Sequence, residues 1–566
     1  MHAVADCAAV TRTPDTQPFS ERNAETAMEP VPPLAAGAPP PKAAAPKMGA
    51  RALLVSAATM FSRVLGLIRE QMFAALLGAS AFADAFVVAF RIPNLLRDLF
   101  AEGALSAAFV PTFTDTMKNK GREQAIRLAN VVIGSLLVIV GVITLLGIVF
   151  APQLIAFMAP GFEQVAGKQS LTELCTRIMF PFLPLVSLAA VAMGQLNAQE
   201  KFGPPAFASA MFNVVAIIGG AVLFIAGYRE EQAVIGWSIF TLLGGAAQLG
   251  VQLPALFRTG FRFRPALDWA SPGLRRIGRL MGPATIGLAA TQVNILVNTI
   301  FASQVPGAPA WLNYAFRLMQ LPIGVFGVAV ATIATTSLAR RAADRDLQGM
   351  QATLGSGLRL VAFLTVPSMI GLAALAVPIV RLLFQHGAFL ATDTIATAWA
   401  TLMYATGLYA YSAVKVVAPA FYALDKARVP LYGSMAAVAG NVVLNVTLFP
   451  YLSYRGLALG TAAAATLNFV VLLLMFRKVA GGLGLGSLVL HFLRVLAAAV
   501  PCGLVAWLVN DQLSGVVGTD SLVARLLAVG LAIAAGGLVY LALCRALRVA
   551  ELDELIGFVK RRRARR

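Results

Sequence analysis

The chain has 566 residues, 58% of them hydrophobic and only 13% charged, with a formal net charge of +19. Soluble proteins average about 25% charged residues, and apolar runs of about 20 residues, enough to cross about 30 Å of hydrocarbon, recur along nearly the whole chain, so a soluble fold is excluded. The runs are longer than the roughly 10-residue alternating strands of a membrane barrel, and the expected fold is an all-α polytopic membrane protein.

In chain order, residues 1–50 come first. They are rich in Ala and Pro, carry scattered charges and contain no apolar segment of the signal-peptide type. A disordered cytoplasmic tail is expected there. From Arg51 the hydropathy pattern predicts about fourteen transmembrane helices, over 52–77, 82–113, 126–158, 170–198, 206–227, 232–257, 277–303, 310–339, 355–385, 394–423, 430–450, 456–476, 488–509 and 522–546. These group into an N-terminal six-helix lobe (51–260), a C-terminal six-helix lobe (261–480), two additional helices (481–550) and a basic cytoplasmic tail (551–566).

Loop charge tests the count. Loops after even-numbered spans carry Lys118, Lys120 and Arg122; Lys201; Arg258, Arg262, Arg264, Arg275 and Arg276; Arg340, Arg341 and Arg345; Lys426 and Arg428; Arg477 and Lys478. The chain ends Lys560-Arg-Arg-Arg-Ala-Arg-Arg566, whereas loops after odd-numbered spans carry only Lys168, Arg229 and Arg455. The positive-inside rule then places both termini in the cytoplasm of a bacterial inner membrane. Basic residues in alternate loops, with no aromatic-interleaved basic domain, point to topology and anionic headgroups; no nucleic-acid partner is expected.

An internal repeat runs at an offset of 226. Ala89-Phe90-Arg91 returns as Ala315-Phe316-Arg317, and the same offset relates Leu95 to Leu321, Pro152 to Pro378, Gly161 to Gly387 and Pro204 to Pro430. Six spans preserve orientation, so the two lobes should be parallel repeats about an axis along the membrane normal.

The first two spans contain Arg63, Arg69, Glu70, Asp84, Arg91, Arg97, Asp98 and Glu102, and Arg177, Arg317, Arg381 and Lys415 also fall in or near apolar runs. A charge facing lipid at the bilayer centre costs roughly 2.5–3.5 kcal/mol on insertion scales, so these groups must pair, snorkel or line a wet cavity. Internal pairing is expected for Asp84, Glu70 or Asp98. The cavity candidates Arg63, Arg69, Arg97, Arg317 and Lys415 outnumber their obvious partners. Excess guanidinium in a central cavity suits a multiply charged phosphate ligand. Breaks such as Pro181, Pro322, Gly324 and Gly327 are tolerated where helices line cavities or bend, although close helix packing explains most of the glycines. Cys7, Cys175, Cys502 and Cys544 lack metal or redox spacing, and no metal site is expected.

Several stretches carry a resemblance. Met60-Phe-Ser-Arg-Val-Leu-Gly-Leu-Ile-Arg-Glu70, Ala83-Asp-Ala-Phe86, Pro93-Asn-Leu-Leu-Arg97, Phe100-Ala-Glu-Gly-Ala-Leu-Ser106, Tyr314-Ala-Phe-Arg-Leu-Met-Gln-Leu-Pro322 and Val414-Lys-Val-Val-Ala-Pro-Ala-Phe-Tyr422 closely resemble the MurJ (MviN) family of lipid II flippases, in the superfamily that includes multidrug and toxin extruders. The resemblance covers about residues 51–546. It implies a V-shaped pair of lobes around a cationic cavity that opens alternately inward and outward, with the last two spans forming a groove for the undecaprenyl tail. It carries substrate-binding roles onto Arg63, Arg69, Arg97, Arg317 and Lys415, and acidic positions onto Asp84 and Glu102. Some members are acidic just before and three after the arginine of the eighth span. Here those positions are Phe316 and Gln320, so no local carboxylate pair is expected beside Arg317.

The function these readings imply is a non-enzymatic flippase carrying lipid II from the cytoplasmic to the periplasmic leaflet, with cell-wall synthesis machinery as a further partner. No cofactor is expected. There is no Walker motif, and the membrane potential or a coupling ion would reset the carrier. The rivals are an exporter of another polyprenyl-linked glycan or of drugs within the same superfamily, and an intramembrane enzyme acting on polyprenyl lipids. The last needs clustered carboxylates, histidines or a metal, and the short loops offer none.

Overall fold

The computed structural model describes residues 45–98, 104–554 and 557, and these are helices joined by short turns, with no strand among them. Residues 1–51 and 52–566 are separate units. In the first unit only residues 45–51, the start of α1, are described.

The first half of the second unit contains α1 (Ala45–Leu77) from Ala52 onward, α2 (Ala81–Arg97), α3 (Ala104–Lys120), α4 (Arg122–Val149), α5 (Ala151–Met158), α6 (Lys168–Met179), α7 (Phe182–Ala198), α8 (Gly203–Ile225), α9 (Glu230–Gly250) and α10 (Leu253–Phe257). The second half contains α11 (Pro272–Ala302), α12 (Ala308–Pro322), α13 (Val328–Ala343), α14 (Leu347–Ala374), α15 (Ala376–Phe384), α16 (Ala391–Ala405), α17 (Leu408–Ala423), α18 (Arg428–Leu452) and α19 (Tyr454–Ala480). Two long helices, α20 (Leu485–Val517) and α21 (Leu522–Ala546), follow.

Every predicted span is helical over its described residues, either as one helix or as two separated by a short break. The breaks have local causes. Pro181 stands between α6 and α7, and Gly407 between α16 and α17. Pro322, which has no N–H to donate, precedes a π-helical turn over Ile323–Gly327. Turns of this kind recur at functional positions in helices. Among the described residues, ten helices are long and apolar enough to cross a membrane. The predicted first, second, seventh and tenth spans do not meet that standard. Three of these four carry the cavity candidates Arg63, Arg69, Arg97 and Lys415.

Each half buries its own apolar core. Phe109, Phe113, Val132, Phe182 and Leu183 form one in the first half, and Leu338, Leu354, Val416, Phe421 and Phe476 form one in the second. Small residues bring α18 and α19 close: a Cβ on Gly456 or Gly460 would strike Leu448 or the Asn445 amide. Helix α11 belongs to both halves. Near its start, Ile277 is buried in the first half's core, and further on Asn298 meets Asn445 of α18 and Thr461 of α19. Helices α20 and α21 pack on each other and on α14. Buried Glu551, just beyond α21, ties this group together. It accepts from Arg359 Nε of α14 at 3.2 Å and lies 3.5 Å from His491 Nδ1 of α20. Cys175, Cys502 and Cys544 are buried free thiols.

Candidate functional site: a polar recess above a dry seam

The turns after odd-numbered spans lie at one end of the bundle, the low-charge end, and there the two halves meet backbone to backbone. The Ala388 N–H donates to the Ala75 carbonyl at 2.9 Å, and the Tyr314 hydroxyl donates to the Gly78 carbonyl at 2.7 Å. Gly78 and Gly387 have φ of +61° and +59°, and a Cβ on either would collide with backbone of the other half. Only glycine satisfies both demands. The repeat recurs in this seam. Gly161, the partner of Gly387 at offset 226, likewise abuts the backbone of Ser303 and Gln304 across the halves.

Asp84 sits in this seam, fully buried. Its Oδ2 accepts from Lys168 Nζ at 2.8 Å and from the Gly307 N–H at 2.8 Å, and its Oδ1 accepts from the Ala310 N–H at 3.0 Å. One carboxylate of the first half thus caps the N-terminus of α12 in the second, where the free N–H groups and helix dipole favour an anion. Asp84 and Ala310 are 226 residues apart, so the cap joins equivalent positions of the repeat. Lys168 is also buried, with its ammonium 4.0 Å from the Phe162 ring centre.

Further along α1 lies a small recess of about 70 Å³, with Phe73, Phe86 and Trp237 as its aromatic wall. Phe73 contacts Tyr314, whose ring packs on Phe384 and Phe389, so aromatic rings lie between the recess and the low-charge end. The polar lining comes from both halves: Arg69, Glu70, Arg91 and Asn94 from the first, Asn313 and Arg317 from the second. Glu70 is the hub. It is buried, and its Oε1 is 2.5 Å from Arg69 Nη2 and 3.4 Å from Arg317 Nε. Arg69 also donates to Asn213 Oδ1 at 3.2 Å, and Asn213 in turn donates to the Ser62 carbonyl at 3.0 Å, which fixes the guanidinium against α8. Arg91 has a buried Nε with no hydrogen-bond partner among the described residues. Among the described residues, three guanidiniums and one carboxylate therefore line the recess.

The structure brings together two of the five predicted cations, Arg69 and Arg317. Arg63 is exposed on α1, with its guanidinium against Gly324 in the π turn, where a Cβ would strike it. Arg97 pairs with Asp98 at 2.9 Å. Lys415 is exposed on α17 and makes no ion pair with a described residue. None of these three lines the recess. Asp84 is ion-paired as expected, but in the seam. Glu102 lies outside the described residues. Two lining groups, Glu70 and Arg91, are not among the predicted site residues. The repeat held the signal for Arg91, since it and Arg317 close the same Ala-Phe-Arg triplet and now line one recess. No carboxylate flanks Arg317 in sequence, and α1 supplies one from across the halves. Among the described residues, no three His, Cys, Asp or Glu side chains cluster as a metal site would require.

A helical bundle of membrane length, with a sealed end and an arginine-lined recess shared by two halves, has the architecture of a membrane transporter. The family model described as lipid II flippase MurJ matches residues 73–527. The chain belongs to that family. It is 37% identical over 432 residues to the probable lipid II flippase MurJ of Vibrio cholerae serotype O1, covering 74% of this chain and 81% of that one. It is 36% identical over 434 residues to the lipid II flippase MurJ of Burkholderia cenocepacia, covering 76% and 84%. Among solved structures, a lipid II flippase MurJ in an inward closed conformation superposes with a TM-score of 0.72 at 26% identity, covering 88% of this chain and 99% of that one. An inward-facing multidrug resistance MATE family transporter superposes at 0.63 with 14% identity, covering 77% and 99%, and shares the fold. This is a multi-pass protein of the bacterial inner membrane.

Proposed function

We propose that this chain flips lipid II from the cytoplasmic to the periplasmic leaflet by alternating access, with the pyrophosphate held in the arginine recess. The observation that carries the reading is a recess lined by Arg69, Arg91 and Arg317, to which both halves contribute, with Glu70 paired to Arg69 and Arg317 as its one lining carboxylate among the described residues. A pyrophosphate diester carries two negative charges, which match the two guanidiniums left uncompensated. Guanidinium forks pair with phosphate oxygens in a bidentate manner. At rest Glu70 holds Arg69 and Arg317 in place. An arriving pyrophosphate competes for both, and so couples headgroup binding to the junction between the halves. Arg63, Arg97 and Lys415 extend the positive field along the route. The family and the loop charges favour fourteen spans in two six-helix lobes plus two, with both termini cytoplasmic, so the low-charge seam is the periplasmic gate. Opening it requires breaking the Asp84 cap and the Tyr314–Gly78 bond. The apolar faces of α20 and α21 would carry the polyprenyl tail, and the membrane potential or a coupling ion would return the carrier.

The test is depletion of this protein followed by an added enzyme that cleaves only lipid II exposed on the outer leaflet. Total lipid II should rise while the cleavable fraction collapses. An unchanged cleavable fraction, with no second flippase present, would overturn the assignment and turn attention to other polyprenyl-linked glycans or to drugs.

A further inference from the structure

The connection between the two halves at the opposite, basic end is a built surface. Residues 257–280 contain six arginines (Arg258, Arg262, Arg264, Arg275, Arg276 and Arg279) and one carboxylate, Asp268. All six arginines are exposed. Only Arg276 has a carboxylate partner among the described residues, Asp115 at 2.6 Å. Between the arginines, Phe263 (52%), Leu267 (58%) and Trp269 (51%) are also exposed, where a solvated loop would place polar side chains.

The segment is nevertheless held firmly. Phe261 and Ile277, towards its two ends, are buried in the core of the first half. Between them the backbone lies extended along α4. The Asn130 amide donates to the Arg262 carbonyl at 3.0 Å and accepts from the Arg264 N–H at 2.9 Å. The Ala266 N–H donates to the Asn130 carbonyl at 3.2 Å. Gly134 allows this approach, since a Cβ there would strike the Ala266 backbone. The asparagine side chain thus serves as a strand partner and sets the height of the strap.

That height is informative. Helix α4 has 28 residues, or about 42 Å at 1.5 Å per residue, against about 30 Å of hydrocarbon. Asn130 lies about 12 Å from its basic end, so an overhang on that side would set the strap near headgroup level. Arginines at that level reach phosphates, and Phe263, Leu267 and Trp269 reach the tops of the acyl chains, as interfacial aromatic residues do.

We propose that residues 257–280, clamped by Asn130, form an interfacial seat for anionic phospholipid headgroups, separate from the arginine recess. Each arginine near an anionic surface contributes the equivalent of about fivefold in partitioning.

The test uses the full-length protein in phosphatidylcholine nanodiscs doped with either brominated phosphatidylglycerol or brominated phosphatidylcholine. The signal is the quenching of fluorescence present in the parent and absent in Trp269→Phe. Brominated phosphatidylglycerol should quench at a lower mole fraction than brominated phosphatidylcholine. Arg262→Gln and Arg264→Gln should each raise that fraction by about fivefold. Both substitutions are on exposed side chains, so folding is retained. Equal quenching by the two lipids would overturn the proposal by showing a contact without charge selectivity, and so would absence of quenching, which would place Trp269 in water.

Discussion

The seam and the recess both bury charge, and they handle it in opposite ways. In the seam, Asp84 has an ammonium and two backbone N–H groups on its two oxygens, Lys168 has its carboxylate, and glycines let backbone touch backbone. In the recess one carboxylate serves Arg69 and Arg317, and Arg91 Nε is left without a hydrogen-bond partner among the described residues. A satisfied, dry charge holds a structure together, whereas an unsatisfied, accessible one is open to a ligand. Substitutions should therefore separate stability from transport according to region.

The largest effect is expected at Arg317. Arg317→Ala should fail to support growth when it is the sole copy, while membrane levels and thermal stability stay within about 1 kcal/mol of the parent, because its side chain is 46% exposed and Glu70 retains Arg69. Normal growth would break the contrast. Next comes Asp84→Ala, which strands the buried Lys168 ammonium and uncaps α12. Removal of one member of a buried pair costs about 3–5 kcal/mol. Thermal denaturation in detergent should show the loss, and Asp84→Asn with Lys168→Met should recover part of it. If Asp84→Ala matched the parent in stability, the seam would be no fastener.

Glu70→Gln sharpens the comparison from the other side. It removes the only carboxylate that lines the recess among the described residues, so binding of a pyrophosphate lipid should tighten by about fivefold, as expected for a change of about 1 kcal/mol, and turnover should fall as release slows. Titration calorimetry with a soluble pyrophosphate analogue reads the first effect, and weaker binding would contradict the assignment of Glu70 as competitor. The smallest effect lies outside both regions, at Asp346, which caps α14 by accepting from the Gly349 N–H at 2.7 Å and from Arg341 at 2.6 Å. These bonds hold its carboxyl below the ordinary carboxylate range. A depressed pKa contributes stability that is present above the unfolded value of about 3.9 and is lost as pH falls through the lower folded value. The protection factors against hydrogen exchange at residues 347–350 should therefore be flat from neutral pH down to about 4 and fall only below it, and Asp346→Asn should abolish that acid step.

Much of the architecture was legible before any coordinates. Apolar run length and loop charge are properties of neighbouring residues, so the helical spans, the breaks at Pro181 and Pro322, and the offset that pairs Arg91 with Arg317 could be read along the chain, whereas the break at Gly407 was not. The site was legible only as a set of candidates. Arg63, Arg69, Arg97 and Arg317 look alike in sequence, each an arginine in or near an apolar helix. Which of them share a recess depends on how α1 and α2 lie against α12.

The sequence by itself determined an all-helical membrane chain, its internal repeat and its surplus of cations, because hydropathy and charge act over one helix length. The tertiary structure alone decided that Glu70 joins Arg69 to Arg317, that Asp84 caps a helix 226 residues away, and that Asn130 clamps the strap between the halves. Those partners are far apart along the chain. Their pairing follows from packing two halves together, since a charge buried in hydrocarbon must take whatever partner the fold brings within reach.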